Sequence, residues 1–599
     1  MALDVPYRSI PDMLRSRVTA TPDRRALGYP TPDEQVAWLT WAEVGRRANA
    51  IGAGLIGLGV RPEDRVAILS STRLEWVLAD FGVMCAGAAT TTVYPTTEPD
   101  EATYIVRDSG STVLIAEDAA QAAKVADAGL REVIVIDGDA PGAISLAELE
   151  RRGTEALAGD PGLVDRVVDA IQPDQLATLI YTSGTTGRPK GVELLHRGWC
   201  WQGIVQADTG VMHDDDLQYL WLPLSHSFGK ALICGLTHAG LPTYVDGRVD
   251  RLVEKLGQVR PTLMCSAPRV YEKVYNAAVS TAMSGGGAKA KIFTWAVRVG
   301  REALRHEQAG TPIPAGLALR RRIADRLVFA KLRARLGGHI RVLVSGSAPL
   351  ADQIAEFFAI AGLPILEGYG LTESSAANFV NRLGQVRIGT VGNAVGDLEC
   401  RLDSDGEILL RGAPIMRGYH NLPEQTAAVF TEDGFLRTGD IGELDSAGYL
   451  RVTDRKKDLI KTSGGKYVAP SHLEGLFKSL CPYASQALVI GQSRNFCTML
   501  VTLDPDAIAG WARGGPLAGR PYQEIAASPA ARELIAGYVE RLNGELNRWE
   551  TVKKFAILPR DLSIEDGELT PSMKVKRRVV EQAFAADIES MYAGTLAEI

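Results

Sequence analysis

The sequence has little cysteine, and the spacing of its cysteines excludes two kinds of site. Seven cysteines are spread over 599 residues, and no two of them form a Cys-x-x-Cys pair. A disulfide framework and a zinc knuckle are therefore not expected, and we expect buried, reduced thiols instead. The eight histidines contain no His-x-x-x-His pair, so the zinc-binding helix of a metalloprotease is also missing from the sequence.

Excess positive charge and long apolar runs are missing as well. The 65 lysines and arginines are outnumbered by 72 aspartates and glutamates, which leaves a net charge of -7. Nucleic acid is not expected as a partner, because surfaces that bind it are usually basic. The most apolar stretch, residues 76–94, contains Asp80 and falls short of the roughly 20 apolar residues of a membrane span. The amino terminus has no apolar signal segment, so we expect a cytoplasmic protein.

The sequence is rich in short apolar runs that alternate with helical patterns. The runs that predict buried strands are residues 65–70, 111–116, 132–137, 177–181 and 340–345, and the patterns that predict helices include 41–58 and 74–86. This alternation predicts an α/β fold with largely parallel sheets. At roughly 100–200 residues per domain, a chain of this length predicts more than one structural unit.

A change in sequence texture marks a boundary between two domains. The charged run DRKKD at 454–458 precedes the glycine-rich stretch TSGGK at 462–466, and a new α+β pattern begins after it. We predict a hinge at about 455–458. The large domain is then residues 1–454, and a small, mobile C-terminal domain is residues 455–599.

Residues 319–336 form a basic segment that leaves two interpretations open. Leu319, Ile323, Leu327 and Ala330 recur at helical spacing, while seven lysines and arginines fill other positions. One interpretation is a solvated amphipathic helix on the surface. The other is contact with anionic lipid or an acidic ligand, which would make the protein peripheral at the inner face of the membrane.

The segment YTSGTTGRPKG at 181–191 carries the clearest chemical signal. It follows an apolar run and combines hydroxyls, glycines and a single lysine, Lys190, within eleven positions. Glycines allow backbone N–H groups to approach an anion closely, and hydroxyls and a lysine add donors and positive charge. The segment therefore predicts a site for nucleotide phosphate. It is not a Walker A loop, because Lys190 follows Pro189 rather than glycine.

This segment resembles the signature of the adenylate-forming superfamily, which contains acyl-CoA synthetases, luciferases and nonribosomal adenylation domains. Further matching segments follow in the family's order at 222–230, 345–350, 367–374, 406–418, 437–442, 454–470 and 569–577. The resemblance covers nearly the whole chain. It implies a large N-terminal domain of parallel and mixed sheets with flanking helices, a β-barrel-like subdomain, and a small mobile α+β domain.

The resemblance also implies roles for individual residues of the segment EGYGLTES at 367–374. Tyr369, an aromatic residue between two glycines that can stack on a planar base, is expected to support adenine. Thr372 is expected to donate to the α-phosphate. Glu373, a hard oxygen ligand, is expected to hold Mg²⁺ together with Thr185.

The other matching segments imply the remaining roles. Asp440 is expected to accept from both ribose hydroxyls, and Lys457 to be the hinge residue. Lys574 is expected to reach the reacting carboxylate and the α-phosphate. His226 is expected at the mouth of the acyl pocket, where it would orient the substrate carboxylate. Lys461, with Ser463 and Gly464, is expected to line the site of thioester formation.

Further contacts to the nucleotide are expected across the matching segments. The residues implied are Thr182, Ser183, Gly184, Thr185, Thr186, Gly187, Lys190, Gly346, Ser347, Ala348, Glu367, Gly368, Gly370, Val452 and Arg455. ATP, Mg²⁺ and coenzyme A are the implied cofactors and co-substrates.

Three segments narrow the resemblance to long-chain fatty acyl-CoA synthetases: 93–97, 268–276 with the long insert after it, and 569–577. The sequence after Arg577 leaves no room for a carrier domain, so we expect a free-standing ligase. The implied reaction has two steps. A long-chain fatty acid first forms an acyl-adenylate and pyrophosphate, and the acyl group then passes to coenzyme A with release of AMP while the small domain rotates about Lys457.

Two alternatives stay open. One is a fatty acyl-AMP ligase that stops at the adenylate or loads a carrier protein, and the absence of an extra segment in residues 412–454 of the sequence favours the CoA ligase over it. The other is a non-catalytic lipid-binding relative. The presence of Lys190, Glu373, Asp440 and Lys574 argues against that alternative. A homodimer remains open as the oligomeric state, and the acyl chain length is not predicted.

Overall fold

The structure, a computed structural model, describes residues 3–182, 188–284, 287–462, 466–570 and 573–593. The strands, numbered in chain order, are β1 Arg25–Pro30, β2 Val36–Thr40, β3 Arg65–Leu69, β4 Ala89–Val93, β5 Val113–Ala116, β6 Glu132–Val135, β7 Ile144–Ser145, β8 Leu176–Thr182, β9 Lys190–Leu195, β10 Gln218–Leu220, β11 Thr243–Val245, β12 Leu263–Ser266, β13 Val342–Ser345, β14 Ile365–Leu371, β15 Ala376–Val380, β16 Asn393–Ala394, β17 Glu399–Leu402, β18 Glu407–Arg411, β19 Gly418–Tyr419, β20 Leu436–Leu444, β21 Leu450–Arg455, β22 Ile460–Lys461, β23 Tyr467–Val468, β24 Ala484–Ile490, β25 Cys497–Leu503 and β26 Val552–Ile557.

The α-helices connect and cover these strands. They are α1 Ile10–Ala20, α2 Trp41–Gly57, α3 Leu74–Cys85, α4 Pro99–Asp108, α5 Ala119–Ala123, α6 Leu146–Gly159, α7 Leu163–Ala170, α8 His196–Asp208, α9 Ser227–Ala239, α10 Leu252–Val259, α11 Pro268–Ser284, α12 Gly287–Gln308, α13 Ala315–Ala324, α14 Ala330–Arg335, α15 Asp352–Ile360, α16 Pro423–Ala428, α17 Pro470–Leu480, α18 Pro505–Ala512, α19 Tyr522–Ala526, α20 Pro529–Gly544, α21 Arg577–Ala583 and α22 Ala585–Tyr592. Among the described residues, none of the helices combines the length and the apolar composition that crossing a bilayer requires.

Two large sheets, each parallel in its centre, form the core of the first 455 residues. The first has the order β19-β9-β8-β4-β3-β5-β6-β7, and its strands from β8 to β7 are parallel. The second has the order β16-β15-β14-β13-β12-β10-β11-β1-β2, with parallel strands from β14 to β1. Strands such as β3 and β5 are almost wholly apolar because helices cover both faces of a parallel sheet. The α/β prediction with largely parallel sheets is confirmed.

Three smaller sheets complete the fold. Strands β17-β18-β20-β21 form an antiparallel sheet, which lies before the predicted hinge. After the predicted hinge, β22 and β23 pair with each other, and β24-β25-β26 form a separate sheet. Buried apolar side chains of the main core extend in sequence to Leu450, and those from Ile460 onward pack into two other clusters.

The basic segment 319–336 is helical, and three of the four apolar residues predicted to share one face are exposed. Leu319 is 60% exposed, Ile323 45% and Leu327 46%. The segment contacts the protein instead through Ala324 and Phe329. A π-helical turn at Asp325–Phe329 interrupts the α-helix and changes its phase, which regular helical spacing in the sequence does not reveal.

Candidate active site

The carboxyl ends of β8, β13 and β14 meet at one side of the two large sheets. Thr182 ends β8, residues 346–348 follow β13, and Tyr369 lies near the end of β14. Ligands of α/β proteins commonly bind at the carboxyl ends of parallel strands, so this edge is where a site is expected. The adjacent pair β20 and β21 adds Asp440 and Arg455, which lie opposite each other in the ladder.

Asp440 is buried, and both of its carboxylate oxygens have a partner. The Tyr369 hydroxyl donates to Oδ2 at 2.7 Å, and Arg455 Nε lies 3.2 Å from Oδ1. Burial raises the pKa of Asp440, and the charge of Arg455 opposes that shift. Arg437, three residues before Asp440, pairs with Asp403 and Glu407. The cation beside Asp440 is instead Arg455, which the pairing of β20 with β21 supplies from fifteen residues away. Asp440 is thereby oriented by its neighbours.

Tyr369 is half-buried, rather than an exposed platform, and it lies on a strand that a neighbouring strand approaches very closely. A Cβ at Gly370 would lie 1.3 Å from the carbonyl oxygen of Ala376 in β15, so only glycine fits there. At the same point the register of β14 against β15 shifts by an irregularity between Tyr369 and Gly370. The pairing of β14 with β15 therefore requires glycine at this position.

Thr372 and Glu373 follow β14 in a short 3₁₀ turn, Thr372–Ser374. The Thr372 hydroxyl lies 3.3 Å from the hydroxyl of Ser227, the first residue of α9. The Tyr419 hydroxyl donates to Glu373 Oε1 at 2.9 Å. The hydrogen bond from Tyr419 fixes the position of the Glu373 carboxylate. Because Glu373 is only half-buried, its carboxylate remains accessible from the site.

Lys190 joins this group from the first sheet. It opens β9 directly opposite Thr182 of β8, and its Nζ lies 4.9 Å from the centre of the Tyr419 ring. Tyr419 thus contacts both Lys190 and Glu373. The predicted phosphate residues Ser183, Gly184, Thr185, Thr186 and Gly187 lie outside the described residues.

The turn at Gly346, Ser347 and Ala348 follows β13 and lies close to the ring of Phe228. Ser347 has a φ of 63°, in the left-handed region, and a Cβ at Gly346 would lie 3.2 Å from the ring of Phe228. Glu367 is buried beside this turn. Its burial, followed by the charge of Asp352, raises its pKa to about 8, so Glu367 is mostly protonated at pH 7. The backbone N–H groups of Leu350 and Gly389 donate to its carboxyl group.

Lys574 enters the site from the other side, on a hairpin of the small domain. Leu569 and Val575 pair across this hairpin, and the Thr570 N–H donates to the Lys574 carbonyl at 2.8 Å. Burial lowers the pKa of Lys574 to about 8, and nearby Arg455 lowers it further, while Asp440 and Glu373 oppose both effects. The amine of Lys574 therefore shares one electrostatic environment with the nucleotide residues predicted from the sequence.

His226 lies at the N-terminus of α9, where its ring serves as the helix cap. Nδ1 accepts from the Phe228 N–H at 3.1 Å, so the proton of the neutral ring is on Nε2. Burial lowers its pKa to about 3, and the charge of Lys574 adds to that shift. His226 is therefore neutral at physiological pH, and its Nε2–H is the potential donor.

Not every predicted residue lies in this group. Val452 is half-buried in β21, and Lys461 lies on β22, where its Nζ is 5.5 Å from the centre of the Tyr467 ring. Lys457 is exposed between the two domains. Ser463 and Gly464 lie outside the described residues.

The backbone next to Lys457 is tied firmly to the large domain. The Lys456 N–H donates to the Gly439 carbonyl at 2.9 Å, and its amine lies 2.5 Å from Asp405 Oδ2 and 3.0 Å from Glu407 Oε2. The next segment of the chain already packs into the small domain from Ile460. The transition between the two cores therefore occupies only a few residues.

Comparison with known proteins identifies the family of this chain. The AMP-binding enzyme family matches residues 14–420, and the C-terminal domain of AMP-binding enzymes matches residues 457–596. The chain belongs to the AMP-binding enzyme family. The resemblance to the adenylate-forming superfamily is therefore confirmed, and so is the predicted fold.

Individual members of this family are similar over most of their length. The long-chain-fatty-acid–CoA ligase FadD15 of Mycobacterium tuberculosis is 39% identical over 565 residues, which cover 92% of each chain. The peroxisomal long chain acyl-CoA synthetase 6 of Arabidopsis thaliana is 29% identical over 93% of this chain and 81% of its own. The adenylation domain of a carboxylate reductase from Mycobacterium chelonae has the same fold, with a TM-score of 0.76, 22% identity, and coverage of 98% of this chain and 92% of its own.

Sequence reasoning missed Tyr419 and the contacts that join the two domains. Tyr419 directly follows the matching segment 406–418, so its position was the only signal. Arg269 donates to the Ser485 carbonyl and hydroxyl at 2.6 and 2.5 Å, and Lys478 pairs with buried Glu272 at 3.0 Å. Both contacts join residues more than 200 positions apart in the sequence. The local spacing of residues therefore does not predict them.

Proposed function

We propose that this AMP-binding enzyme is an ATP-dependent long-chain fatty acid–CoA ligase that forms acyl-CoA, AMP and pyrophosphate. The observation that carries the proposal is that Lys574 of the C-terminal segment lies close enough to Asp440, Arg455 and Glu373 for their charges to act on its amine. The names of the similar proteins, which are long-chain fatty acid–CoA ligases, support the same substrate class.

In the proposed first step, the fatty carboxylate attacks the α-phosphorus of ATP. The bond from that phosphorus to the bridging oxygen breaks, and pyrophosphate leaves. The protein contributes mainly position and charge: Lys574 and Lys190 offset negative charge on the reactants. The Nε2–H of neutral His226 orients the carboxylate by a hydrogen bond. Bound Mg²⁺ neutralises phosphate charge, and Glu373, a hard oxygen ligand held by Tyr419, fits the role of holding it.

In the proposed second step, the thiol of coenzyme A attacks the carbonyl carbon of the acyl-adenylate. The bond from that carbon to the phosphate oxygen breaks, AMP leaves, and the thiol proton is released to water. Lys461 serves this step after the small domain, residues 455–599, rotates relative to residues 1–454. The short transition between Lys456 and Ile460 supports Lys457 as the hinge.

The reaction is tested by product identification. The protein is incubated with ATP, Mg²⁺ and palmitate, with and without coenzyme A, and products are identified by mass spectrometry. We expect palmitoyl-CoA and AMP when coenzyme A is present. Palmitoyl-adenylate that persists with coenzyme A present would replace the proposal with an acyl-AMP ligase. A complete lack of AMP with several fatty acids would favour a non-catalytic lipid-binding protein.

We also propose that residues 319–336 hold the protein against an anionic lipid surface. Three large apolar side chains, Leu319, Ile323 and Leu327, are exposed one helical turn apart. Exposed Arg322 and Arg326 lie between them in sequence, and no ion pair of either arginine occurs within the described part of the chain. Apolar insertion combined with cationic attraction is the chemistry of an interfacial helix.

Vesicle sedimentation tests this placement. We expect sedimentation with vesicles that contain anionic lipid, weaker binding at high salt, and loss of binding in Leu319→Ser/Ile323→Ser and in Arg322→Ser/Arg326→Ser. Arg301→Ser, in neighbouring α12, is the control. Equal binding of the wild type and both double variants would refute the membrane contact. A dimer in gel filtration that both variants break would show that a second copy covers this surface instead.

A further inference from the structure

Glu407, the first residue of β18, is a buried carboxylate that the proposed reaction does not use, and it is 4% exposed. Its Oε1 accepts the N–H of Gly439 at 3.0 Å, and its Oε2 lies 3.0 Å from the amine of Lys456. The backbone N–H of Lys456 in turn donates to the Gly439 carbonyl at 2.9 Å. These three residues form a closed ring of three hydrogen bonds, which we name the Glu407 bridge.

The Glu407 bridge supports an irregular part of β20. Between two paired positions of the β18–β20 ladder, a single residue of β18 lies opposite residues 438–440 of β20. Gly439, the middle residue of this bulge, has a φ of 72°, in the left-handed region that glycine adopts readily. A bulge bends its strand and changes the direction of a side chain. Since Asp440 ends the bulge, the hydrogen bond from Gly439 to Glu407 supports the backbone that presents Asp440.

The same bridge fixes the chain next to the predicted hinge. Lys456 lies between Arg455, which pairs with Asp440, and Lys457, the predicted hinge residue. Both its backbone N–H and its amine are bound within the bridge. Hinges are short segments in which a few residues absorb the change in backbone angles. The bridge therefore holds the large domain in place immediately before the position at which the proposed rotation begins.

The charge of Glu407 is matched by cations. Besides Lys456, Arg437 Nη1 lies 3.5 Å from Oε2, and this arginine also pairs with Asp403 at 2.8 Å. A buried carboxylate destabilises a fold unless cations and N–H groups surround it, as they do here. Asp405, the second partner of Lys456, is exposed. Glu407 is thus the buried partner of this amine, and it links the amine to the bulge.

We propose that Glu407 is a positioning residue that couples the nucleotide contact of Asp440 to the hinge at Lys457. One oxygen of Glu407 supports the bulge that presents Asp440, and the other oxygen fixes the chain from which the small domain rotates. The small domain then brings Lys574 or Lys461 to a defined place relative to the bound nucleotide. This inference rests on the proposed function, and Glu407 acts in it only through its two partners.

Two substitutions of Glu407 separate these two contacts. The amide oxygen of Glu407→Gln can still accept the Gly439 N–H, but its NH2 group cannot bind the Lys456 amine. We expect the kcat of palmitoyl-adenylate formation to fall about 3- to 10-fold in this variant, with an unchanged KM for ATP. Glu407→Ala loses both contacts, so the KM for ATP should also rise by about 10-fold. Equal effects of the two variants on kcat and on KM would reduce Glu407 to a structural role.

Lys456→Met tests the hinge contact from the other side. It removes the amine, keeps the backbone bond to Gly439, and should reproduce the kinetics of Glu407→Gln. The double variant Glu407→Gln/Lys456→Met should be no slower than Lys456→Met, because both changes remove the same contact. Additive losses would overturn the coupling. Glu399→Gln is the matched control: it removes an exposed pair with Arg411, at 3.0 Å on the same sheet, and should change neither kcat nor KM.

Two measurements without catalysis keep this inference separate from the proposed function. AMP is titrated into the full-length protein by calorimetry, and we expect binding about 10-fold weaker in Glu407→Ala but unchanged in Glu407→Gln. Brief trypsin digestion measures access to the hinge, residues 455–461, and cleavage there should be faster in Glu407→Gln than in the wild type.

The outcomes for the two proposals differ. If the wild type forms no acyl-CoA from any fatty acid but both measurements agree with these expectations, the proposed function fails and the positioning role of Glu407 stands. Equal AMP affinity of Glu407→Ala and the wild type, or equal cleavage of Glu407→Gln and the wild type, refutes the positioning role alone.

Discussion

At the scale of the residue, the site depends on a few side chains whose charge is set by burial. Lys574 is held beside Arg455 with a lowered pKa, and His226 is kept neutral by burial and by its role as a helix cap. The carboxylate of Asp440 is fixed by two partners. These groups have defined protonation states before any substrate arrives, which suits a reaction that needs position and charge more than proton transfer.

Removal of the Lys574 amine should separate the two half-reactions. We expect Lys574→Ala to lose palmitoyl-adenylate formation by about 100-fold or more, because a positioned cation near developing charge is worth several kcal/mol. Thioester formation from supplied palmitoyl-adenylate should stay near the wild-type rate. Lys576→Ala, two residues away, is the matched control. An equal loss in both half-reactions would show that Lys574 has no role specific to adenylation.

The same lysine predicts a pH dependence. Lys574 has a pKa of about 8, so its amine is charged below that pH and loses its charge as the pH rises. Adenylation measured with saturating ATP should therefore decline above pH 8. His226, with a pKa near 3, should produce no ionisation between pH 5 and 7. A rate that stays constant from pH 7 to 10 would contradict this assignment.

The Nε2–H of His226 should affect the fatty acid and not the fold. Asn is a good helix cap, so His226→Asn should unfold at the same denaturant concentration as the wild type. Its kcat/KM for palmitate should fall about 10-fold, the expected loss of one hydrogen bond to a charged group. The KM for ATP serves as the internal reference. A wild-type kcat/KM for palmitate in this variant would remove His226 from the site.

At the scale of the element, buried ionic contacts fix the helices that carry the site. Helix α9 presents His226 and Ser227, and its Lys230 forms a fully buried ion pair with Asp80 of α3. The Thr90 hydroxyl donates to the other oxygen of Asp80 at 2.8 Å. The pair lies away from the reacting groups, so we assign it to the position of α9 relative to the first sheet.

Removal of one partner of this ion pair should lower the free energy of unfolding far more than replacement of both partners by apolar residues. We expect Asp80→Ala to lower the free energy of unfolding by about 3–5 kcal/mol, because it leaves the Lys230 charge buried without a partner. The double variant Asp80→Leu/Lys230→Met should recover most of that loss, since it buries no charge. Chemical denaturation followed by circular dichroism measures both. A double variant less stable than Asp80→Ala would show that the pair has a larger role than charge balance.

At the scale of the whole molecule, contacts between the two domains favour the arrangement in which Lys574 enters the site. Arg269 of α11 donates to Ser485 of β24, and Glu272 of α11 pairs with Lys478 of α17. Glu272 is buried at this interface. Rotation of the small domain would break both contacts, so their strength sets how easily the protein leaves the arrangement for adenylation.

Weakening this interface should shift the balance between the two half-reactions. Arg269→Ala/Lys478→Ala should slow palmitoyl-adenylate formation by about 3- to 10-fold, because the loss of one or two interface contacts is worth about 1 kcal/mol. Thioester formation from supplied adenylate should stay equal or become faster. Arg301→Ala, which removes an ion pair with Glu356 inside the large domain, should change neither. Slower reaction in both steps would point to general destabilisation.

Local sequence patterns predicted the elements and the family, but not the partners of the site residues. The runs at 65–70 and 340–345 form β3 and β13, because a short apolar run between turns is typical of a buried strand. The segment 367–374 predicted Tyr369 as a site residue, but it did not predict the hydrogen bond of Tyr369 to Asp440 or the close approach of β15 to Gly370. The spacing of apolar residues in 319–336 did not predict the π-helical turn at Asp325–Phe329.

The sequence by itself determined the class of fold, the family and the types of residue available for chemistry. These follow from the local pattern of apolar and polar residues and from the order and spacing of the motifs, which the sequence shows directly. Only the tertiary structure decided that Arg455 faces Asp440, that Tyr419 contacts both Lys190 and Glu373, and that Lys574 loses part of its basicity. These features depend on distances between segments far apart in sequence and on exclusion of water. Both arise only when the sheets and domains pack together.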